Sequence, residues 1–120
     1  MTGFLPAVVV MTAVFVLSHQ ERPPTVGGDP ELSAIAGHLV AYGILAVALL
    51  YGALGAGLSF RRAAMIAVGL SLVFGVTDEL HQRFVPGRHA DPWDLVADLA
   101  GALVAVGLVA LWRHRSESAG

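Results

Sequence analysis

The sequence contains no cysteine and no lysine, and it is poor in charged side chains of either sign. Without cysteine, the chain can form no disulfide, thiolate metal site or cysteine nucleophile. Charged residues make up 13% of its 120 residues, whereas an ordinary soluble domain carries about 25%. With a net charge of -2 and no lysine, the chain also lacks the basic surface that nucleic-acid binding requires.

Hydrophobic residues, by contrast, make up 56% of the chain and are gathered into four stretches between short polar segments. A helix needs about 20 mostly apolar residues to cross the hydrocarbon core of a bilayer. We therefore predict an all-α fold, an integral membrane four-helix bundle with polar outer loops, and disfavour the alternative of a soluble bundle. The predicted spans cover about residues 3–19, 33–58, 63–84 and 93–112.

Residues 1–115 are predicted to form a single transmembrane domain, followed by a short disordered tail at residues 116–120. The first apolar stretch has no basic residue before it and no convincing cleavage site, so we interpret it as a helix rather than a signal peptide. Arginine pairs follow the second and fourth stretches. Since basic residues favour the cytoplasmic side, we predict a multi-pass protein of the plasma membrane with both termini in the cytoplasm.

Local signals near the predicted outer surface place two helices at the same level. Asp29-Pro30 and Asp91-Pro92 each combine an N-cap carboxylate with a proline at the first helical position. The second and fourth helices should therefore begin side by side. Further along the fourth helix, the pair Gly101 and Ala105 predicts close packing against a neighbouring helix.

Ionisable residues within the apolar stretches are the functional signal, because each costs several kcal/mol in hydrocarbon unless it is paired or serves a function. Asp98 lies about 10 Å and His38 about 13 Å below the starts of their helices, at 1.5 Å per residue. Asp78 lies near the outer end of the third helix. We expect these three side chains to meet in one layer.

Helical spacing assigns further residues to this layer. Asp78, His81 and Gln82 are spaced i, i+3 and i+4, so they should share one face of the third helix. Glu79 should point about 100° away from Asp78 and form a local ion pair with Arg83. His38 pairs with Tyr42, and Asp94 pairs with Asp98, at i, i+4. Asp94 also fits a structural role in a capping box.

These residues resemble the signature of VanZ-like membrane proteins. The likeness rests on the run Asp78-Glu79-Leu80-His81-Gln82, then Phe84, Pro86-Gly87-Arg88, Asp94, Asp98 and Gly101, together with Leu17-Ser18-His19-Gln20, His38 and Tyr42. The resemblance implies a multi-pass envelope protein, linked in the founding member to low-level teicoplanin resistance and without an agreed reaction. The chain departs from that pattern at Ala34 and Ile35, where a charged pair is common, and at Asp98, where asparagine is common.

The first functional hypothesis is an outward-facing site that recognises or processes an anionic, lipid-linked envelope molecule. Arginine would bind its phosphate through a guanidinium fork, and an imidazole oriented by a carboxylate would transfer a proton. The expected partners are membrane lipids or a lipid-linked cell-wall precursor. The predicted acid and base residues are His38, Asp78, His81 and Asp98, and the predicted ligand-binding residues are Gln20, Tyr42, Gln82, Arg88 and Asp94.

Other hypotheses remain open at this point. The site could bind a cell-wall precursor without catalysis, or the polar layer could be structural, with Arg88 tying Asp78 to Asp94. Carboxylates and histidines could also hold a divalent metal, but no recognised ligand spacing is present, and we predict none. A proton channel is disfavoured because the inner half has no polar relay. The sequence identifies no cofactor, does not decide whether the protein is an enzyme, and leaves a homo-oligomer open.

Overall fold

The described part of the chain is helical throughout, apart from short connections. The computed structural model describes residues 2–18, 29–86 and 92–119, and it contains no strand in these ranges. A short 3-10 helix, Thr2–Phe4, leads into the first α-helix. The α-helices are α1 (Leu5–Ser18), α2 (Pro30–Gly55), α3 (Phe60–Gln82) and α4 (Pro92–Ala119). The predicted all-α helical bundle is confirmed.

Three helices in the described ranges are long and apolar enough to cross a membrane. They are Leu32–Gly55, Phe60–Gln82 and Pro92–Ala119, whereas the first apolar helix, Thr2–Leu17, is shorter. The protein is therefore a membrane protein. The predicted fourth span and the cytoplasmic location of the termini stay predictions.

The two tryptophans of α4 fit the two surfaces of a bilayer. Trp93 and Trp112 are exposed by 71% and 68%. At 1.5 Å per residue they lie about 29 Å apart along the helix, close to the roughly 30 Å thickness of a hydrocarbon core. Tryptophan favours the interface between lipid and water, so α4 has the spacing of a helix anchored at both surfaces.

Local hydrogen bonds set the two ends of α2. At its start, the Asp29 carboxylate accepts a hydrogen bond from the N–H of Leu32 at 3.4 Å, as an N-cap does. At its end, Gly57 adopts a φ of +90°, and the N–H of Leu58 binds the carbonyl of Ala53 at 3.2 Å. This is a Schellman ending, in which glycine supplies the left-handed residue. The helix consequently stops three residues before the predicted position.

The ends of α3 also differ slightly from the prediction. Ser59 caps the helix by accepting a hydrogen bond from the N–H of Arg62 at 3.4 Å, so α3 begins at Phe60 rather than at residue 63. The prediction placed the boundary after the arginine pair and overlooked the serine cap. At the other end, α3 stops at Gln82 and the chain turns ahead of Pro86.

The C-terminal segment corrects a second prediction. Residues 116–119 continue α4, which runs to Ala119, so the predicted disordered tail is wrong for these residues. No glycine or proline, the residues least favourable to a helix, occurs between Trp112 and Ala119. Gly120 lies outside the described residues.

α2 is the central helix of the bundle, since it packs against each of the others. α1 contacts α2 and α3, but in the described ranges it does not reach α4. Small side chains dominate the contacts, as is usual where helices approach closely in lipid. The fully buried alanines include Ala46, Ala53, Ala63, Ala67 and Ala102.

α2 and α4 approach each other most closely at Gly101. A Cβ atom at this position would lie 2.3 Å from the carbonyl oxygen of Leu39, a distance that no side chain could occupy. One turn further along α2, a Cβ atom at Gly43 would lie 3.5 Å from the Cβ of Ala105. The close packing predicted for Gly101 and Ala105 is confirmed, and it holds α2 and α4 side by side at this level.

Contacts define two ends of the bundle. Phe4 lies against Gly52 near the end of α2, and the guanidinium of Arg113 lies 4.6 Å from the centre of the Phe60 ring. The start of the described chain, the connection from α2 to α3 and the last turns of α4 therefore share one end. The opposite end, formed by the start of α2, the end of α3 and the start of α4, is called the polar end below.

Candidate functional site

The centre of the polar end is a direct contact between α2 and α4. The Nδ1 atom of His38 lies 2.5 Å from Oδ1 of Asp98. When Asp98 is ionised its carboxylate can only accept, and the Nδ1–H of His38 then donates this hydrogen bond. Asp98 lies near the end of the second turn of α4 and is 2% exposed. It is buried there because α4 packs closely against α2 at Gly101. The predicted meeting of His38 with Asp98 is present in the fold.

The second carboxylate of α4 faces the other side of the same imidazole. Oδ2 of Asp94 lies 3.7 Å from Nε2 of His38, beyond hydrogen-bond length. The side chains of His38 and Asp94 are 15% and 13% exposed, so they are more accessible than Asp98. The ring of His38 thus has a buried carboxylate on Nδ1 and a partly exposed one near Nε2.

Tyr42 packs against His38, one turn further along α2. The two rings are nearly parallel, with centres 6.1 Å apart and planes 9° apart, as their i, i+4 spacing predicts. Tyr42 is 1% exposed, and its hydroxyl group has no hydrogen-bond partner among the described residues. Its ring also packs against Phe74 of α3, at 6.1 Å between centres.

Asp98 also reaches α3, because Gly75 leaves room for it. A Cβ atom at Gly75 would lie 2.9 Å from Oδ2 of Asp98 and 3.4 Å from Cε1 of Tyr42. The absence of a side chain at Gly75 is therefore what lets the carboxylate sit between α2, α3 and α4.

The end of α3 supplies two further buried polar side chains. Nε2 of Gln82 donates a hydrogen bond to Oδ2 of Asp78 at 3.3 Å, and these side chains are 1% and 3% exposed. Asp78, like Asp94 and Asp98, acts electrostatically on His38. The predicted layer of His38, Asp78 and Asp98 is thus brought together from three helices.

Glu79 belongs to this group as well, which the sequence analysis missed. Its side chain is 6% exposed and interacts electrostatically with Asp94, His38 and Asp98. Arg83 also acts on it electrostatically, but in the described ranges the two form no ion pair, so the predicted direct pair is not formed. The signal was present in the small residues Ala63, Ala67, Ser71 and Gly75, whose four-residue spacing continues to Glu79.

His81, rather than Glu79, is the residue that points away from the buried face of α3. It lies outside the buried face of α3, and its ring packs edge-on against Phe15 of α1, with centres 5.3 Å apart and planes 84° apart. The prediction that His81 shares a face with Asp78 and Gln82 is wrong, because the small-residue stripe rotates α3 so that Glu79 points inward. An acid or base role for His81 stays a prediction, at a place separate from His38.

We call the group described above the polar cluster and define it as His38, Tyr42, Asp78, Glu79, Gln82, Asp94 and Asp98. Gln20 and Arg88, both predicted to bind ligand, lie outside the described residues. No group of three or more histidine, aspartate or glutamate side chains is arranged to hold a metal ion within the ranges that the structure describes.

The arrangement can support proton transfer and polar recognition. A carboxylate on Nδ1 fixes the tautomer and orientation of an imidazole, so that Nε2 is the nitrogen that can exchange a proton with a ligand. Phe84 and Trp93, exposed by 85% and 71%, flank the polar end with aromatic surface. Such rings favour the headgroup region of a bilayer, which places the cluster near lipid headgroups.

Comparison with known proteins identifies the family. The sequence profile of the VanZ/LLP1 family matches residues 4–113, which covers nearly the whole described chain. This protein belongs to the VanZ/LLP1 family. No curated protein and no solved structure matches it significantly.

Within this VanZ/LLP1 chain, the two departures noted in the sequence fall at different distances from the imidazole. Asp98, where asparagine is common in the resembling proteins, contacts His38 directly. Ala34 lies one turn before His38 on α2 and is exposed. The charged partner of His38 therefore comes from α4 in this chain.

Proposed function

We propose that this VanZ-family membrane protein recognises or processes an anionic, lipid-linked envelope molecule at its polar end. On this proposal residues 1–115 act as a single transmembrane domain in the plasma membrane, with the polar end on the outer face. By binding such a molecule, the protein would also alter the susceptibility of the cell to glycopeptides such as teicoplanin.

The observation that carries the proposal is the pairing of His38 with Asp98 across two helices. Their 2.5 Å contact positions an imidazole whose other nitrogen is directed to the less buried side of the cluster. A histidine held in this way is suited to accept a proton from, or donate one to, a bound hydroxyl or phosphate group. The aromatic surface at Phe84 and Trp93 supports a ligand that is itself embedded in the bilayer.

The proposal assigns separate roles to separate residues. Arg88 binds the phosphate, since a guanidinium group matches phosphate geometry with two parallel hydrogen bonds. His38 carries the proton in a processing reaction, and Asp98 orients it. Asp78 and Gln82 shape the adjoining wall, and Tyr42 supports the imidazole.

Native mass spectrometry of the protein purified from its own membrane tests this proposal. We expect wild type to retain a phosphate-bearing lipid and Arg88→Ala to lose it while remaining folded, as judged by thermal melting. Trp112→Phe, at the opposite end of α4, is the matched control and should retain the lipid. If folded Arg88→Ala retains the same lipids as wild type, the proposed phosphate site is wrong.

His38→Ala separates processing from binding alone. A protein that processes the lipid should still retain it after this change but lose its effect on glycopeptide susceptibility, because only proton transfer is removed. A protein that only binds should keep both properties. Measuring susceptibility and lipid retention on the same variant distinguishes the two.

A structural role is the second candidate, and the tight fit of Asp98 against Gly75 favours it. Removing one partner of a buried polar contact costs several kcal/mol even where the intact contact adds little. On this alternative, loss of function in Asp98→Ala would follow the loss of folded protein. A folded but inactive Asp98→Asn would contradict it.

A further inference from the structure

The polar cluster contains buried oxygen atoms that lack hydrogen-bond donors. Oε1 of Glu79 and Oε1 of Gln82 accept no hydrogen bond from any described residue, and the Tyr42 hydroxyl group is likewise without a partner. The three residues are 6%, 1% and 1% exposed, so bulk water does not satisfy them. A buried polar atom left unsatisfied costs about 1–3 kcal/mol, which indicates that a donor group belongs here.

These atoms lie on the same side of the cluster. Glu79 and Gln82 are three residues apart on the buried face of α3, and therefore adjacent on that face. Tyr42, from α2, reaches the same face of α3, since its Cε1 atom lies 3.4 Å from where a Cβ atom at Gly75 would be, one turn before Glu79. The unsatisfied atoms thus converge from two helices on the region where the carboxylates meet.

The chemistry of these atoms restricts what can satisfy them. A carboxylate oxygen and an amide oxygen are both acceptors, so the missing group must donate more than one hydrogen bond. His38 and Arg83 act electrostatically on Glu79, but neither forms an ion pair with it in the described ranges, and a buried carboxylate is costly unless a positive charge contacts it.

Common lipid headgroups differ in whether they supply both several hydrogen-bond donors and a positive charge. Sugar hydroxyl groups donate hydrogen bonds but carry no charge, and a trimethylated ammonium carries charge but has no N–H. A primary ammonium group has one positive charge and three donors. It therefore matches Glu79, Gln82 and the Tyr42 hydroxyl together.

We propose that the polar cluster binds a primary ammonium group in the headgroup of a phosphate-bearing lipid, with Glu79 and Gln82 as its acceptors. This inference rests on the proposed function and specifies the chemistry of its ligand. On this inference the buried face of α3 binds the ammonium group of the headgroup.

Three phospholipids with the same acyl chains provide the test. The purified full chain is incubated with equal amounts of phosphatidylethanolamine, phosphatidylcholine and phosphatidylglycerol, and the retained lipids are counted by native mass spectrometry. The first two differ only in replacing a primary ammonium by a trimethylated one. We expect at least about tenfold preference for phosphatidylethanolamine over phosphatidylcholine, the factor that one hydrogen bond to a charged group typically contributes.

Glu79→Gln should reduce this preference to about one while leaving the retention of phosphatidylglycerol unchanged, because the substitution removes the charge and nearly preserves the shape. Glu117→Gln, at an exposed glutamate near the other end of the bundle, is the matched control and should keep the preference. Melting of each variant reports folding.

Two results would overturn the proposal in different ways. Equal retention of all three lipids by wild type contradicts the ammonium site but leaves a phosphate site intact. Retention of none of them also contradicts the ammonium site, while the proposed function is tested separately by the lipids that copurify from the native membrane. A preference that survives in Glu79→Gln also contradicts the assignment of Glu79. The wild-type comparison depends on no substitution, so an unfolded variant does not remove the test.

Discussion

At the residue scale, Asp98 joins three helices through a single side chain. One carboxylate oxygen binds His38 of α2, and the other lies where a side chain at Gly75 of α3 would be. A charged group in this position is stable in a membrane protein only when other polar groups accompany it. The contact with His38 and the space at Gly75 are therefore both conditions for the site.

The energetic link between His38 and Asp98 can be measured with a double-mutant cycle. We expect His38→Ala and Asp98→Ala to be non-additive by about 1–2 kcal/mol in the free energy of unfolding, toward the upper end for interhelical hydrogen bonds in membranes. Unfolding in mixed micelles of mild detergent and dodecyl sulfate gives these values. The cycle with Asp94→Ala is the control and should show less coupling, since Asp94 lies 3.7 Å from the imidazole. Equal coupling in both cycles would contradict the pairing.

Gly75→Ala tests whether the position of the Asp98 carboxylate matters for the proposed processing step. The added methyl group would lie 2.9 Å from Oδ2 of Asp98, so the carboxylate must move away from it. We expect the effect of the protein on glycopeptide susceptibility to fall as it does for His38→Ala, because the displaced carboxylate no longer orients the imidazole, while retention of the phosphate-bearing lipid and the amount of folded protein change little. Gly69→Ala on the same helix has no atom within 4 Å of its added Cβ and should affect susceptibility as wild type does.

At the scale of elements, the crossing of α2 and α4 determines whether the site exists. These helices meet backbone to backbone at Gly101 and Leu39, one residue beyond His38 on α2 and three beyond Asp98 on α4. In lipid, helices gain no hydrophobic energy by associating, so close packing between small residues supplies much of the attraction. The same packing that stabilises the bundle therefore brings the imidazole to its carboxylate.

Gly101→Ala should disrupt this crossing. Because its Cβ would lie 2.3 Å from a backbone oxygen, the helices must separate, and we expect a loss of about 1–3 kcal/mol in the free energy of unfolding, the usual cost of overpacking. Gly107→Ala, two turns along the same helix with open space at its Cβ, should be neutral or gain up to about 1 kcal/mol from helix propensity. Similar stability of the two variants would show that the crossing is less tight than described.

The orientation of α3 shows where helical periodicity alone was insufficient. Spacing correctly placed Asp78 and Gln82 on one face but assigned His81 rather than Glu79 to that face. α3 turns Glu79 inward because Ala67, Ser71 and Gly75 form its contact stripe. Hydrophobicity could not reveal this stripe, since lipid-facing and bundle-facing positions are both apolar in a membrane helix.

At the scale of the whole molecule, the polar cluster and the arginine residues of the opposite end are separated along the helices. The polar cluster lies where α2 begins and α3 ends, whereas Phe4 and Arg113 mark the other end through their contacts with Gly52 and Phe60. Arg61 and Arg62 lie at that second end. Since basic residues favour the cytoplasm, the polar cluster is expected on the outer face.

Cysteine labelling tests this orientation without background, because the chain has no cysteine of its own. We expect Thr2→Cys, Ala56→Cys and Ser116→Cys to react with a membrane-impermeant maleimide only after the membrane is opened, and Phe84→Cys to react in intact cells. The opposite pattern would place the polar cluster in the cytoplasm. If Thr2→Cys reacts in intact cells while Ala56→Cys and Ser116→Cys do not, the first helix does not cross the membrane, which contradicts the predicted fourth span.

The sequence by itself determined the fold class, the approximate helix bounds and the depth of the ionisable residues. Long apolar stretches can satisfy their backbone groups in lipid only as helices, so composition was sufficient for the all-α prediction. Because the rise per residue is constant, the positions of His38, Asp78 and Asp98 along their helices already predicted a shared layer.

Only the tertiary structure decided which side chains face one another within that layer. The rotation of each helix depends on contacts between small residues of different helices, such as Gly101 against Leu39 and Gly75 against Asp98. These contacts selected Asp98 as the partner of His38, brought Glu79 into the cluster and directed His81 toward α1. A linear pattern records distance along a helix axis, whereas rotation about that axis is fixed by packing against the neighbouring helices.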